Sequence, residues 1–297
     1  MRLAPHLALL GVQIAFAYGA VAGKVALAPV SAGGGGISPE ALAMIRMLGA
    51  ALFFQALASS ARTKRPGRRD LLALAGLSLL GIVVNQTLFL VGLRLTSAFS
   101  ATLLGVTIPL FTAALAVAFR TERASVRLAA GLLVATSGVV WLIGIHDVDL
   151  GAIVIALNCL SYSFYIVLAG NVLRRVGTIA ARTWIFTWGA LLFAPIGGFA
   201  LASDVPHWTA KSWALAGFYV AIPTIFAYAA NAWALARVAP TIVTVYVYLQ
   251  PLFAAFLQWL HLGQTLGRRA IVASALIVAG VSIVTFRRRS VRLREGS

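Results

Sequence analysis

The sequence predicts an all-α polytopic membrane protein of ten transmembrane helices, arranged as two inverted five-helix repeats. Three observations predict it. The 297 residues are 61% hydrophobic and only 10% charged, with a mean hydropathy of +0.95, whereas an ordinary soluble domain spends about a quarter of its residues on charge. Apolar runs close to the roughly 20 residues needed to cross a bilayer core follow one another along the whole chain. The second half of the chain also repeats the first at a near-constant offset.

The first run, residues 7–30, follows Arg2 and ends at the glycine string Gly33 to Gly36. That string lacks the strand, Lys and Ser/Thr context of a phosphate loop and reads as a flexible external connection. Runs at 40–60 and 70–93 flank the basic stretch Arg62, Lys64, Arg65, Arg68 and Arg69; Arg94 separates the third run from the fourth, at 97–119. Arg120 and Arg123 precede the fifth, 126–145. The sixth, 150–173, stops at Arg174 and Arg175, and the remaining runs fall at 180–201, 211–236, 241–260 and 268–286. Arg2, the apolar stretch and the small residues around Ala15 to Ala22 also imitate a signal peptide, but its removal would leave nine spans and break the repeat.

The excess of 24 Lys and Arg over 7 Asp and Glu lies between hydrophobic runs, which excludes a nucleic-acid partner and makes the charge topological information. With the N-terminus cytoplasmic, the inner side collects Arg2, the 62–69 cluster, Arg120, Arg123, Arg127, Arg174, Arg175, Arg182, Arg237 and the arginines of the tail. The outer side keeps only Arg94, Lys211, Arg268 and Arg269. Both termini are expected inside. One cysteine, Cys159, and four scattered histidines provide neither a disulfide framework nor metal-ligand spacing, so no metal and no cofactor is expected.

Leu93 to Ala98 lies over Leu235 to Pro240, and Pro109-Leu110-Phe111 falls on Pro251-Leu252-Phe253 at the same offset of 142, as does Gly138 on Gly280. Gly49 to Phe53 lies over Gly189 to Phe193. The expected units are residues 1–145 and 146–286, followed by a basic cytoplasmic tail at 287–297. Five spans per unit is an odd number, so the second unit enters the membrane from the opposite face. Inverted repeats of this kind recur in secondary transporters, with substrate near the midplane and access alternating between the halves; a duplicated scaffold without transport is the alternative.

These features resemble the EamA-type members of the drug/metabolite transporter superfamily. The resemblance rests on Lys24, Arg46, Leu93 to Ala98 leading into the Pro109 helix, Glu122 with Gly131 and Gly138, and in the second copy Pro240, Pro251, Gln264 and Gly280. The second copy departs from the pattern by carrying Gln264 where the first has Glu122. Within the family the chain looks most like the YddG-type amino-acid exporters. The resemblance implies a carrier in a bacterial inner membrane exporting amino acids, aromatic or other apolar ones favoured, and related small metabolites. A drug or other organic-metabolite carrier of the same fold is the alternative.

Polar groups in hydrocarbon are costly unless they face another helix or a cavity. Asn85, Asn158, Tyr162, Tyr165, Tyr228, Asn231, Tyr248 and Gln250, many at helical spacing along single faces, are therefore candidate cavity residues, together with Trp184 and Trp188. Such a lining suits a small amphiphilic solute; the competing role is to join helices or to anchor at the lipid interface. Pro109 and Pro251, each without an N–H, are candidate hinges, with Pro195 and Pro223 weaker ones. Lys24 and Arg46 are charged candidates within spans, either snorkelling or attracting a carboxylate. Gly131, Ala135 and Gly138, with Ala275 and Ala279, are expected to pack helices within a monomer, a dimer face being the alternative. Every carboxylate sits at a span end or in a loop, so obligatory carboxylate-based proton coupling is not expected. No nucleophile with a base is present, which argues against an enzyme. The expected partners are a small-molecule substrate and the lipid bilayer.

Overall fold

Helices account for the architecture of the computed structural model, which describes residues 3–95, 104–105, 107–143, 150–250, 252–253, 256 and 268–285. In chain order they are α1 (Leu3–Leu27), α2 (Pro39–Ser60), α3 (Arg68–Ser78, Leu79–Val84 and Asn85–Leu95 in series), α4 (Thr107–Ala118) and α5 (Val126–Ile143). They continue with α6 (Leu150–Val176), α7 (Thr178–Phe193, Ala194–Gly198 and Phe199–Asp204), α8 (Ala210–Val220, Ala221–Phe226 and Ala227–Leu235), α9 (Pro240–Val245 and Tyr246–Leu249) and α10 (Arg268–Thr285). Five, α2, α3, α6, α7 and α8, are long and apolar enough to cross a membrane; the other five contain shorter apolar helices. The protein is an all-helical polytopic membrane protein.

The packing has two-fold character. Helix α2 packs on α7, α4 on α9 and α5 on α10, each helix against its counterpart in the other repeat; α1 packs on α8 and α3 on α6, an exchange of partners between the repeats, and α4 packs more extensively still on α6. Small residues set the closest approach. A Cβ on Gly280 would lie 2.5 Å from the Ala135 backbone nitrogen and one on Gly138 2.9 Å from Ile277, so Gly131, Ala135 and Gly138 pack α5 on α10 within the chain. Ala275 and Ala279 face outward instead.

Among the described residues, three helices carry π-helical segments, and α9 ends in a 3-10 turn at Tyr246–Leu249. Leu79–Val84 of α3, Ala194–Gly198 of α7 and Ala221–Phe226 of α8 are π-helical, a feature frequent at functional sites. The first and third stand at the offset of 142 that relates the sequence repeats. Pro195 and Pro223 both lie in these segments. Pro223 cannot bond the carbonyl four residues earlier, and the Thr224 hydroxyl donates to that Tyr219 carbonyl at 2.8 Å. In α3 the Ser161 hydroxyl of α6 serves the Leu80 carbonyl at 2.9 Å.

The two ends of the bundle are tied differently. At one, Arg175 at the end of α6 pairs with Asp70 at the start of α3. There too Glu122, from the α4–α5 connection, caps α9 by accepting from the Thr241 N–H at 3.1 Å and from its hydroxyl, a carboxylate on a helix N-terminus with Pro240 at its first position. At the other, the Asp204 carboxylate accepts from the Ser38 N–H at 2.6 Å, while Lys211 and Ser212 donate to the Gly33 and Gly35 carbonyls. The glycine string is a fixed turn rather than a flexible connection. Gly35 and Gly36 donate back to Val25 and Ala28 at 2.8 Å each, and any Cβ on Gly34 would strike the Ala28 carbonyl.

Candidate functional site

A small internal cavity sits where α2, α3, α7 and α8 meet, lined by Ala43, Arg46, Met47, Ile82, Gln86, Phe186, Thr224 and Tyr228. Six of the eight form counterpart pairs across the repeat: Arg46 with Phe186 at the offset of 140 that relates Gly49 to Gly189, and Ile82 with Thr224 and Gln86 with Tyr228 at 142. The cavity therefore lies on the approximate two-fold axis, and both π segments that share the 142 offset reach it. Its volume of about 10 Å³ admits about one water, too little for an organic solute without movement of the helices around it.

Arg46 points into this cavity rather than snorkelling. Its Nε donates to Thr224 Oγ1 at 2.8 Å and its guanidinium stands 5.1 Å over the Tyr219 ring. Tyr219 in turn donates to the Gly19 carbonyl of α1, and a Cβ on Gly23 would lie 2.5 Å from the Tyr219 hydroxyl. One arginine thus couples α2, α8 and α1.

A second arginine is buried nearby. Arg182, assigned by loop counting to the cytoplasmic connection before α7, is 1% exposed inside the bundle. The sequence signal was its position within the apolar run that begins at residue 180. Its guanidinium lies 5.8 Å from the Tyr165 ring and 5.6 Å from the Tyr228 ring. Among the described residues its Nε and Nη1 have no hydrogen-bond partner, nor does the Tyr165 hydroxyl or Asn231 Oδ1. Cation–π contacts return about 0.5–2 kcal/mol each, while taking an ion out of water costs several kcal/mol, so two rings leave the charge undercompensated. Of the described carboxylates, Asp70, Glu122 and Asp204 are engaged at the bundle ends, and Glu40 stands in the first turn of α2.

Three of the four tyrosines named from the sequence assemble around Arg182. Tyr162 and Tyr165 of α6 have ring centroids 5.8 Å apart, Asn231 of α8 donates to the Tyr162 hydroxyl at 3.2 Å, and Tyr228 meets Phe186 edge-on at 5.3 Å. The tryptophans lie apart from them. Ala180 and Trp184 occupy the opposite face of α7 from Arg182 by helical period, with Thr183 on its flank, and the three line a vestibule of about 150 Å³ with Gln55, Lys64 and Arg65 at the Asp70–Arg175 end. Arg65 lies 5.1 Å over the Trp184 ring. Trp188, one turn further along, is half-buried with its Nε1 unpartnered among the described residues.

The remaining candidates tie helices together. Asn85 and Asn158 exchange side-chain to backbone hydrogen bonds between α3 and α6; Tyr248 meets Thr136 of α5 at 2.7 Å, and Gln250 donates to Gln13 of α1 at 2.7 Å. Pro109 is buried as the third residue of α4. Pro251 and Gln264 lie outside the described residues, as does the Lys24 side chain within α1. Arg46 was named from the sequence; Arg182, Phe186 and Tyr219 were not.

The profile of the EamA-like transporter family matches residues 4–144 and again 149–286. A solved crystal structure matches with a TM-score of 0.76 at 17% identity, covering 96% of this chain and 97% of the other, a likeness of fold. No curated protein matches the chain.

Proposed function

The chain belongs to the EamA-like transporter family, and from that premise we propose that it is a secondary carrier exporting amino acids, aromatic or other apolar ones favoured, and related small metabolites. Membership in the family makes it a membrane transporter of small substrates and points away from catalysis. The narrower likeness to YddG-type exporters, the bacterial inner membrane as its location, the cytoplasmic termini, the monomeric state and the two units 1–145 and 146–286 are part of the same proposal.

The observation that carries it is the central cavity lined by counterpart pairs. Substrate sites of inverted-repeat carriers lie at the repeat interface near the midplane, and Gln86, Thr224, Tyr228 and Phe186 combine hydrogen-bonding groups with aromatic surface there. In the proposed cycle the halves rock about this axis, opening the Asp70–Arg175 end and the Ser38–Asp204 end in turn, with Pro109 and Pro251 as hinges. Every described carboxylate stands at a helix end, which favours a cycle without obligatory proton coupling.

Counterflow of radiolabelled phenylalanine, tryptophan, leucine and alanine into liposomes holding the purified protein tests this, with and without an imposed pH gradient. Saturable uptake indifferent to the gradient is expected. Uptake that demands the gradient overturns the uncoupled mechanism, and absence of uptake for every amino acid overturns the substrate class.

A further inference from the structure

We propose that Arg182, inside the box of Tyr162, Tyr165 and Tyr228, is a recognition site for the carboxylate of the transported solute. The proposal rests on the carrier reading above and names a chemical requirement of its substrate. Its geometry is centred on Arg182, which does not line the central cavity. Arg182 offers two N–H donors without partners among the described residues, and the Tyr165 hydroxyl beside it is a third unpartnered polar group. A guanidinium is always charged and matches a carboxylate by charge-assisted hydrogen bonds. Three buried donors against one unpartnered acceptor, Asn231 Oδ1, leave a surplus of donors, the complement of an anionic group with several lone pairs.

The surroundings specify what is attached to the anion. Tyr162, Tyr165 and Tyr228 present ring faces and edges rather than further charge, which fits an apolar or aromatic body next to the carboxylate. A phosphate ester calls for more than one cation in the box, and Arg46, which lines the central cavity, is held by Thr224. The ligand class is therefore an apolar monocarboxylate, α-amino acids included, and not an amine or a phosphorylated metabolite. Tyr228 belongs to both places, packing under Arg182 and lining the central cavity, so a carboxylate on Arg182 extends its body toward the two-fold axis.

Equilibrium binding to the purified protein in nanodiscs tests this with matched probes: radiolabelled L-phenylalanine and 3-phenylpropionate, which carry the carboxylate, against phenethylamine, which lacks it. Wild type is expected to bind both carboxylates and to bind the amine far more weakly. Arg182→Met is expected to lose at least tenfold in affinity for the carboxylates while its affinity for the amine does not fall; Arg182→Lys, which keeps the charge, recovers part of the loss. A purely structural arginine would shift all three probes together, and that result overturns the proposal. Tighter binding of phenethylamine than of either carboxylate by wild type overturns it as well, and counterflow of the amine in that case leaves the carrier reading standing. If no probe binds and none is transported, the substrate reading fails first and the site falls with it.

Discussion

Arg46 in α2 and Thr224 in α8 are joined by a 2.8 Å hydrogen bond, Nε to Oγ1, and the Thr224 hydroxyl in turn donates to the Tyr219 carbonyl that Pro223 leaves without an N–H. The charge at the cavity wall and the break in α8 are therefore one device. The hydroxyl is the only group of Thr224 that serves both partners.

Thr224→Val, nearly equal in volume, strands the arginine Nε and the Tyr219 carbonyl. A loss of about 1–3 kcal/mol is expected for buried groups left unpaired, read as a lower melting temperature in detergent. Thr224→Ser keeps the relay and should melt close to wild type; equal losses for Val and Ser would show that the methyl group rather than the hydroxyl matters.

At the α5–α10 contact, a side chain on Gly280 meets the Ala135 nitrogen and the Gly131 carbonyl, which are backbone atoms and cannot rotate away. Gly280→Leu should cost about 3 kcal/mol or more through overpacking. The expected outcome is a sharp drop in monodisperse protein on gel filtration. A comparable Leu at Ala279, which faces outward, should be tolerated.

The π segments and prolines bear on movement. Pro223→Ala restores an N–H for the Tyr219 carbonyl, and the double replacement of Pro109 and Pro251 by Ala removes the paired proline sites. Each is expected to lower flux per carrier by about tenfold, the equivalent of 1.4 kcal/mol on the slow step, with little change in the amount of folded protein. Unchanged counterflow rates would remove these residues from the transport cycle.

Selectivity should separate the two faces of α7. Tyr165→Ala alters the box around Arg182, so relative uptake of phenylalanine and leucine should change in competition assays. Trp188→Ala is expected to do the same only if solute passes along the face toward α2, and a uniform reduction for all solutes would assign Trp188 to packing.

Sidedness follows from labelling. Cys159 is buried, so the natural thiol gives little background. A cysteine at Arg65, in the vestibule, should react with a membrane-impermeant maleimide only from the cytoplasm, and one at the exposed Ser31 only from outside. Labelling in the reverse sense would invert the topology.

Much of the fold is legible in the sequence because bilayer thickness imposes length on every span, and the basic breaks mark where each ends. The repeat is legible because Pro109 and Pro251, or Gly138 and Gly280, keep their spacing. The site is less so. Arg182 lies two residues inside a span boundary, and counting cations by loop assigns it to water; only the tertiary packing of α6, α7 and α8 buries it. Asn85, Asn158, Tyr248 and Gln250 show the converse. A polar stripe on a helix states that something polar faces it, but whether that is a cavity or a neighbouring backbone depends on which helix comes to lie there. Trp184 and Arg182 are two residues apart, and helical period alone sends one to the vestibule and the other to the tyrosines.

The paired π segments carry a historical consequence. In α8 the irregularity is enforced by Pro223 and sealed by a hydroxyl from the same helix; in α3 the corresponding residue is Gly81, pressed against the Tyr165 ring, and the seal comes from α6. The two copies have kept the bend while exchanging the chemistry that makes it. At this pair of positions the backbone form is common to the two repeats while the residues that produce it differ, the reverse of Gly138 and Gly280, which the repeats share as letters.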